Sequence, residues 1–323
     1  MNFFNFYKFL LFIIFIFLFP ISSFSKANFN ETVQQISKEA EKKGISSEVI
    51  NEFKNKSKYI KRVVELDKSQ PEFKLSLDEY LKRVVTTIRI KKANQKYKEN
   101  KKLLTQVSKH YGVQPRFIVA LWGIETDFGR LTGGFPVISA LTTLVYDGRR
   151  YDYFKKELIN ALEIVNEGHI TMNKMTGSWA GAMGQCQFMP SSFINYATDW
   201  DKDGSKNIWT SKSDVFASAA NYLNSVGWSN KFTWGRKVFI GNYKNKINEK
   251  KYNLLSYWKS RGILKANKEK LPNANLKAKL IIPEGYKNYG YLVYKNFDSL
   301  LNWNRSNYFA IAVGTLSDAI KRK

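Results

Sequence analysis

The sequence contains very little cysteine and histidine. Among its 323 residues, Cys186 is the single cysteine, and the two histidines are His110 and His169. One cysteine excludes an intrachain disulfide and a cysteine-based zinc site, and two histidines exclude a histidine-rich metal centre. The same scarcity argues against a histidine-based catalytic triad. Polar chemistry in this chain must therefore use carboxylates, amides and hydroxyls.

Acidic residues are few compared with basic ones. Lys and Arg together number 52 and Asp and Glu 27, which gives a net charge of +25. Such an excess favours contact with a polyanion or an anionic surface. No nucleic-acid-binding motif is present, so we expect no nucleic-acid partner. An apolar fraction of 44% is enough to build a core and excludes a disordered protein, and the length suggests about two domains.

Long apolar runs are also absent after the first segment. Residues 9–19 are all apolar, Lys8 precedes them, and the small residues Ser23 and Ser25 follow a proline. This arrangement predicts a secretory signal peptide over residues 1–25 and a periplasmic location. No cysteine lies nearby, which excludes a lipid anchor. The alternative is an uncleaved N-terminal membrane anchor, although a span needs about 20 apolar residues.

The first part of the exported chain is highly charged and has helical periodicity. Asn30 is predicted to cap a first helix that ends near Gly44. Residues 76–79 have the composition of a capping box, so we predict one long helix after them, and Gly112 ends that stretch. Pro115 suits the first turn of the next helix.

Strand-like patterns are confined to one region. Three segments there have the composition of short strands bounded by Gly and Pro turns: residues 237–240, 278–282 and 291–294. On either side, residues 212–226 and 304–321 have helical patterns. The sequence therefore predicts a mainly helical protein with a small strand-rich insertion.

Glu125 is the first candidate functional residue. At helical spacing it shares one face with three apolar side chains: Ile118, Leu121 and Trp122. Gly129 is the predicted end of this helix, so burial and the negative end of the helix dipole should both raise the pKa of Glu125. A raised pKa suits a general acid. The structural alternative is a carboxylate bound to Arg130 or to a backbone amide.

Residues 177–193 form the second candidate segment. It contains four small residues among aromatic and amide side chains: Gly177, Ala180, Gly181 and Gly184. Such a stretch lets the backbone approach a ligand closely. Ser178, Gln185 and Gln187 can bond sugar hydroxyls and acetamido groups. The alternative is a motif for tight helix packing.

Together these segments resemble the lytic murein transglycosylase B family, a branch of the lysozyme-like superfamily. The matching pieces are residues 120–129 (ALWGIETDFG), 177–192 (GSWAGAMGQCQFMPSS), 201–204 (DKDG), 221–228 (NYLNSVGW) and 302–306 (NWNRS). The resemblance runs from about residue 30 to residue 318, and the combined order and spacing make it specific.

The resemblance implies an α+β, mainly α fold with a lysozyme-like helical catalytic core. The implied division is a signal peptide (1–25), an N-terminal helical region (26–112), the catalytic core (113–235), a small β-rich subdomain (236–300) and a C-terminal helix returning to the core (301–323).

The resemblance also implies a peptidoglycan-cleaving enzyme in which Glu125 is the sole catalytic carboxylate. In the family this glutamate protonates the oxygen between N-acetylmuramic acid and N-acetylglucosamine, with assistance from the muramoyl acetamido group. It then acts as a base on the C6 hydroxyl, which closes a 1,6-anhydro ring without consuming water. A glycosidase with two positioned carboxylates is not indicated, because Asp127 lies only two residues away and cannot share the face of Glu125.

Four further residues receive substrate-binding roles from the resemblance. Ser178 and Gln187 would line the cleft, Tyr222 would provide a wall or a hydroxyl, and Asn304 would orient the acetamido group or Glu125. The structural alternative for Tyr222 is packing in the core. Trp303 stands where many relatives carry tyrosine, so a role that depends on that hydroxyl is in doubt.

The aspartate-rich segment after residue 198 predicts a calcium site. Asp199, Asp201 and Asp203 alternate as in the first half of an EF-hand loop, with Ser205 following. Thr210 occupies the position of the expected bidentate glutamate, which departs from that motif. In the family a later aspartate contributes, and Asp214 matches it. A loop that only caps the next helix is the alternative, and the chemistry itself requires no cofactor.

Three functional classes follow from these observations. The leading prediction is a secreted, monomeric lytic transglycosylase that binds peptidoglycan glycan strands and associates with the cell-wall synthesis machinery. A hydrolytic muramidase on the same fold and a non-catalytic murein-binding protein are the alternatives. A carboxylate on an apolar face, Glu125, argues against a pure binding protein.

Overall fold

The structure, a computed structural model, describes residues 28–69, 75–241, 243 and 251–321. The predicted signal peptide of residues 1–25 lies outside this range. Within it there are fourteen helices and seven strands. None of the described helices has both the length and the apolar character needed to cross a membrane.

Three helices open the described chain: α1 (Phe29–Lys42), α2 (Ser47–Lys56) and α3 (Lys61–Lys68). The prediction that Asn30 caps α1 was wrong by two residues. Asn28 is the cap, because its side chain accepts the backbone N–H of Asn30 at 3.2 Å and its own N–H donates to Glu31 at 3.0 Å. This reciprocal pair satisfies donors that a helix start leaves free. The helix ends two residues before Gly44, which has a positive φ of 82°.

The predicted single long helix is instead three helices: α4 (Leu77–Val84), α5 (Thr87–Glu99) and α6 (Lys101–Tyr111). The predicted capping box at their start is confirmed, since Ser76 N–H donates to Glu79 at 2.9 Å. A second cap then interrupts the helix, because the Thr86 hydroxyl accepts the backbone N–H of Arg89 at 3.1 Å. Side chains of this kind compete with helical backbone bonds. Gly112 ends α6 in the left-handed conformation, as expected.

The remaining helices are α7 (Pro115–Thr126), α8 (Val137–Asp147), α9 (Tyr151–Asn166), α10 (Pro190–Tyr196), α11 (Lys212–Ser225), α12 (Leu255–Ser260), α13 (Asn296–Trp303) and α14 (Asn307–Ala319). Pro115 occupies the first turn of α7, as predicted. Every residue of α7 from Arg116 to Gly123 is buried. Helix α14 packs along α7, while α5, α6 and α11 also contact it. Because four helices pack against α7, the position of its last turn is fixed by the core.

Two sheets accompany the helices. A two-stranded ribbon pairs β1 (Phe135–Pro136) with β2 (Thr176–Gly177). The second sheet contains β3 (Gly235–Phe239), β4 (Asn253–Leu254), β5 (Leu264–Lys265), β6 (Lys277–Ile281) and β7 (Tyr289–Val293). Its strand order is β4-β6-β7-β3-β5, and all neighbours are antiparallel. The three strands predicted from sequence are β3, β6 and β7.

The five-stranded sheet has a core of its own. Trp258 is fully buried there, and its indole N–H donates to the carbonyl of Ala278 at 2.9 Å. The main core is instead formed by the helices, the two-stranded ribbon and the segment that links β2 to α10. The two cores are separate clusters. The helical core is therefore the part that positions Glu125.

Candidate active site

Glu125 lies in the last turn of α7. The helix ends at Thr126, three residues before the predicted stop at Gly129. Asp127, Phe128 and Gly129 all have positive φ angles of 48°, 63° and 82°. Three left-handed residues in succession reverse the chain sharply, and a non-glycine residue is strained in that region. The reversal leaves Glu125 partly exposed at the end of a buried helix.

An apolar pocket surrounds the Glu125 side chain. Its lining consists of Ile118, Leu121, Trp122, Gln185, Cys186, Val215, Phe216, Ala219 and Trp303. The predicted face of α7 is thus confirmed, because Ile118, Leu121 and Trp122 share this pocket with Glu125. Among the described residues that line it, Glu125 alone carries a carboxyl group.

The pocket changes the acidity of Glu125. Burial raises its pKa from an ordinary 4.5 to about 7, and a hydrogen bond from Trp303 opposes that rise. The indole Nε1–H of Trp303 donates to Glu125 Oε1 at 2.7 Å. The predicted rise in pKa is therefore confirmed, with desolvation as its main cause. Near neutral pH this carboxyl group can both give and take a proton.

Asp127 has the opposite surroundings. Its Oδ2 accepts bonds from Arg130 Nε at 2.7 Å and Lys92 Nζ at 3.0 Å, and Arg89 Nε lies 3.7 Å from Oδ1. Burial raises the pKa of Asp127, but these cationic partners outweigh it and hold the pKa below its usual value. Arg130 therefore pairs with Asp127. The structural alternative that tied Glu125 to Arg130 was wrong.

Gln185 braces the end of α7. Its amide oxygen accepts Trp122 Nε1–H at 2.8 Å, and its amide nitrogen donates to the Trp209 carbonyl at 2.8 Å. A Cβ atom on Gly129 would lie 2.3 Å from this amide oxygen, so only glycine fits there. Both the amide oxygen and the amide nitrogen of Gln185 thus make hydrogen bonds within the protein. The sequence had suggested sugar contacts for it, and its structural function was missed.

Ser178 and Gln187 stabilise turns and are not among the residues that line the pocket. The hydroxyl oxygen of Ser178 accepts the N–H of Ala182 at 3.0 Å, which leaves its hydrogen to donate. The amide nitrogen of Gln187 donates to the carbonyls of Thr132 and Gly184, both at 3.0 Å. Gln187 has a positive φ of 50°, so its backbone is held in a conformation that few residues adopt. The binding roles of both residues stay predictions.

Aromatic rings hold Trp303 beside Glu125. The ring of Tyr222 lies 4.8 Å from that of Trp303, and the ring of Phe188 lies 5.3 Å from it, centre to centre. The Tyr222 hydroxyl donates to the Asn302 carbonyl at 2.7 Å, and burial raises its pKa to about 12. Tyr222 therefore packs in the core and also anchors the chain next to Trp303. Its contact with substrate stays a prediction.

The 302–306 segment contributes differently from the expectation. Asn304 is exposed, and its side-chain oxygen accepts the N–H of Ser306 at 3.1 Å. The residue that hydrogen-bonds Glu125 is Trp303. The sequence left the role of this position in doubt, so the bond to Glu125 was missed. The role of Asn304 towards the acetamido group stays a prediction.

The aspartate loop of residues 199–205 lies on the surface. Carboxylate oxygens of Asp199, Asp201 and Asp203 lie within 4.8 Å of one another. Asp199 also accepts the N–H groups of Asp203 and Gly204, at 3.1 and 2.9 Å. Converging carboxylate oxygens are the ligand type that Ca²⁺ prefers. Three of the five predicted metal ligands are thus brought together.

The other two predicted ligands have different partners. Asp214 is fully buried, and its two carboxylate oxygens accept the N–H groups of Trp200 and Asn207 at 2.8 and 2.7 Å. Ser205 Oγ donates to the carbonyl of His169 at 3.0 Å. Asp214 therefore holds the two sides of the aspartate loop together, because it accepts one backbone N–H from each side. The loop fits a hard cation through its three exposed or half-exposed aspartates.

Comparisons with known proteins agree on one family. Residues 28–318 match the family model described as Transglycosylase SLT domain. Membrane-bound lytic murein transglycosylase B of Escherichia coli (strain K12) is 36% identical over 150 residues, which are 46% of this chain. The match spans 41% of the length of that relative.

Solved structures extend the similarity to nearly the whole chain. SltB3 from Pseudomonas aeruginosa in complex with NAG-anhNAM-pentapeptide superposes with a TM-score of 0.87 at 33% identity, covering 91% of this chain and 80% of that one. The Escherichia coli lytic transglycosylase Slt35 in complex with calcium gives a TM-score of 0.77 at 28% identity, covering 89% of this chain and 92% of that one. The predicted fold class, mainly helical with a lysozyme-like core, is confirmed.

Proposed function

This chain belongs to the Transglycosylase SLT domain family, and from that membership we propose that it is a lytic transglycosylase of peptidoglycan. The observation that carries the proposal is the single carboxyl group of the apolar pocket, Glu125, whose pKa is raised to about 7. Relatives are lytic transglycosylases, and one was solved with a peptidoglycan-type fragment. The proposed substrate is the glycan strand, cut between N-acetylmuramic acid and N-acetylglucosamine.

The first step uses Glu125 as an acid. Its proton passes to the glycosidic oxygen, the C1–oxygen bond of N-acetylmuramic acid breaks, and N-acetylglucosamine leaves as an alcohol. The carbonyl oxygen of the muramoyl acetamido group bonds to C1 on the opposite face. The apolar walls contributed by Leu121, Phe216 and Ala219 favour the protonated form of Glu125.

The second step uses the same group as a base. The Glu125 carboxylate removes the proton of the C6 hydroxyl, O6 bonds to C1, and the acetamido oxygen is displaced. The product is 1,6-anhydro-N-acetylmuramic acid, and Glu125 is protonated again. One residue therefore serves both steps, and the substrate supplies both nucleophiles.

A hydrolytic muramidase is the second candidate. A retaining glycosidase needs a second carboxylate about 5–5.5 Å from the acid, and an inverting one needs a base that holds water. The carboxyl group nearest in sequence, Asp127, is bound by Arg130 and Lys92. Those bonds make it a poor nucleophile or base. The surroundings of Glu125 thus favour the non-hydrolytic reaction.

Three further properties are part of the proposal. Export of the chain to the periplasm would bring it to its substrate, and its positive charge would favour adsorption on murein, which carries peptide carboxylates. Asp199, Asp201 and Asp203 would hold a structural calcium ion that takes no part in the chemistry. We also propose that the protein acts as a monomer.

Digestion of purified sacculi tests the activity. We expect muropeptides that end in the anhydro sugar, which are lighter by one water than hydrolysed products. Mass spectrometry separates the two product classes, and the Glu125→Gln protein is the control for contaminating enzymes. Hydrolysed products alone would establish the muramidase. Binding of sacculi without any product would establish the non-catalytic alternative.

A further inference from the structure

Trp303 makes the hydrogen bond that fixes the Glu125 side chain. Its indole nitrogen lies 2.7 Å from Glu125 Oε1, although the two residues are 178 positions apart in sequence. Among the described residues, Trp303 is the hydrogen-bond partner of the Glu125 carboxyl group. When the carboxyl group is ionised, an N–H donor at this distance makes a charge-assisted hydrogen bond.

Two other segments contact the indole of Trp303. Phe188 comes from the glycine-rich segment, and Tyr222 comes from α11. Their ring centres lie 5.3 Å and 4.8 Å from that of Trp303, and the Tyr222 hydroxyl also donates to the carbonyl of Asn302. Packing against these rings therefore constrains the indole in addition to its bond with Glu125. A donor that other contacts constrain can orient the acid.

We propose that Trp303 is a positioning residue, which keeps Glu125 Oε1 as a permanent acceptor and so places the transferable proton on Oε2. The inference rests on the proposed function, because it concerns the acid of that reaction. An indole N–H is a donor and has no acceptor atom. A carbonyl-type oxygen accepts a hydrogen bond more strongly than an oxygen that carries a proton, so the indole favours the proton on the other oxygen, Oε2. A tyrosine hydroxyl, by contrast, can donate or accept, so it would leave both carboxylate oxygens available.

The titratable groups near Glu125 allow the bond to be isolated. Tyr80 from α4 and Cys186 from the glycine-rich segment are the neighbours whose own pKa values Glu125 raises. Both are neutral near pH 7. The cations Arg89 and Lys92 of α5 are directed at Asp127. A change in the titration of Glu125 on altering Trp303 therefore reports the indole bond itself.

Three replacements at Trp303 test the proposal. Benzothienylalanine, introduced at this one position, keeps the ring shape and puts sulfur in place of the N–H. Trp303→Phe removes the donor and part of the ring, and Trp303→Tyr supplies a donor again. Trp258 with the same analogue is the matched control, since its N–H bonds to the Ala278 carbonyl in the core of the five-stranded sheet.

Two readouts separate positioning from packing. NMR of proteins labelled in the glutamate carboxyl carbons, with Glu125→Gln for assignment, gives the pKa of Glu125 without any need for activity. Loss of the indole donor should raise that pKa by about one pH unit, the tenfold change expected for a hydrogen bond to a charged group. We expect kcat to fall about tenfold with KM unchanged. Trp303→Tyr should restore much of the Glu125 pKa, because its hydroxyl can donate, but less of kcat, because the same hydroxyl can also accept and leaves the proton free to lie on either oxygen.

The analogue at Trp258 should change neither quantity. An unchanged Glu125 titration with the analogue at Trp303 would overturn the proposal, as would a loss of kcat that follows only the folded fraction. The proposed function fails by a different result: a folded Glu125→Gln protein with full activity. In that case the titration of Glu125 would still decide whether Trp303 orients it.

Discussion

The end of α7 and the aspartate loop of residues 199–205 both present carboxylates, in opposite surroundings. Burial among apolar neighbours raises the pKa of Glu125, and the neutral donor of the Trp303 indole opposes that rise only in part. In the loop, three carboxylates lie within 4.8 Å of one another near the surface, and hydroxyls of Ser211 and Ser213 hold the pKa of Asp201 below its usual value. Desolvation suits proton transfer, whereas clustered exposed charge suits a hard cation.

Two more aspartates complete this comparison. Asp127 lies two residues from Glu125, yet Arg130 and Lys92 keep it ionised. Asp214 is fully buried, but two backbone N–H groups satisfy it. The same functional group thus makes ion pairs at Asp127 and closes a loop at Asp214, while catalysis at Glu125 and cation binding at the aspartate loop are the roles that we propose.

The largest expected effect is on activity. Glu125→Gln preserves the shape but removes the transferable proton, so the rate of anhydro-product release should fall by at least the ~10²–10⁴-fold typical of losing a general acid. Asp127→Asn is the matched change two residues away. Its rate per folded molecule should stay within a fewfold of wild type. Equal losses in the two variants would remove the distinction drawn between these carboxylates.

The next effect concerns stability as a function of pH. The pKa of Glu125 is about 7 in the folded protein and 4.5 ordinarily, so the folded state binds the proton more tightly. Its stability contribution is complete below pH 4.5 and is lost as pH rises through 7. Glu125→Gln should therefore stabilise the protein by up to about 3 kcal/mol above pH 7. It should stabilise it little at pH 4.5.

Urea unfolding of both proteins at pH 4.5, 6 and 8 measures this difference. A stabilisation that is the same at all three pH values would show that burial does not shift the titration of Glu125.

A smaller effect is expected at Asp214. Asp214→Asn replaces an accepting oxygen by an amide group, so one of the N–H groups of Trp200 and Asn207 loses its acceptor. Leaving such a buried group unsatisfied costs about 1–3 kcal/mol. Asp203→Asn, at an exposed position of the same loop, should cost less than about 0.5 kcal/mol. Chemical unfolding without calcium compares the two, and a reversed order would contradict the structural role of Asp214.

The smallest effect is that of calcium. If Asp199, Asp201 and Asp203 bind the ion, stability should rise by about 1.4 kcal/mol at a free calcium concentration ten times the Kd. Calorimetry with and without calcium measures this rise as an increase in Tm. The Asp201→Asn protein should lose most of the response. A wild-type Tm that is insensitive to millimolar calcium would exclude the proposed site.

The sequence supported several local predictions. The spacing of Ile118, Leu121, Trp122 and Glu125 was sufficient to place an acid on an apolar face, because helical periodicity is a local property. The capping box at Ser76 and the three principal strands followed from local patterns too. Helix ends were less well predicted. Thr86 interrupts the expected long helix because its side chain caps a new one. Helix α7 ends before Gly129 because the backbone already turns left-handed at Asp127.

The partners of individual side chains could not be predicted in this way. Arg130 was considered as a partner of Glu125 but binds Asp127, which Lys92 also binds from 35 positions away. Gln185 was predicted to bond sugar groups. Its amide oxygen instead accepts from Trp122, and its amide nitrogen donates to the Trp209 carbonyl. Each of these outcomes depends on which segments pack against the end of α7.

The sequence by itself determined the mainly helical class, the place of Glu125 on an apolar helix face, the direction of its pKa and a specific family resemblance. These follow from periodicity, composition and ordered motifs. Only the tertiary structure decided that Trp303 donates to Glu125 and that Asp214 accepts N–H groups from both sides of the aspartate loop. A hydrogen bond needs two atoms within about 3 Å. For residues 178 positions apart, that distance is set by the packing of the whole core.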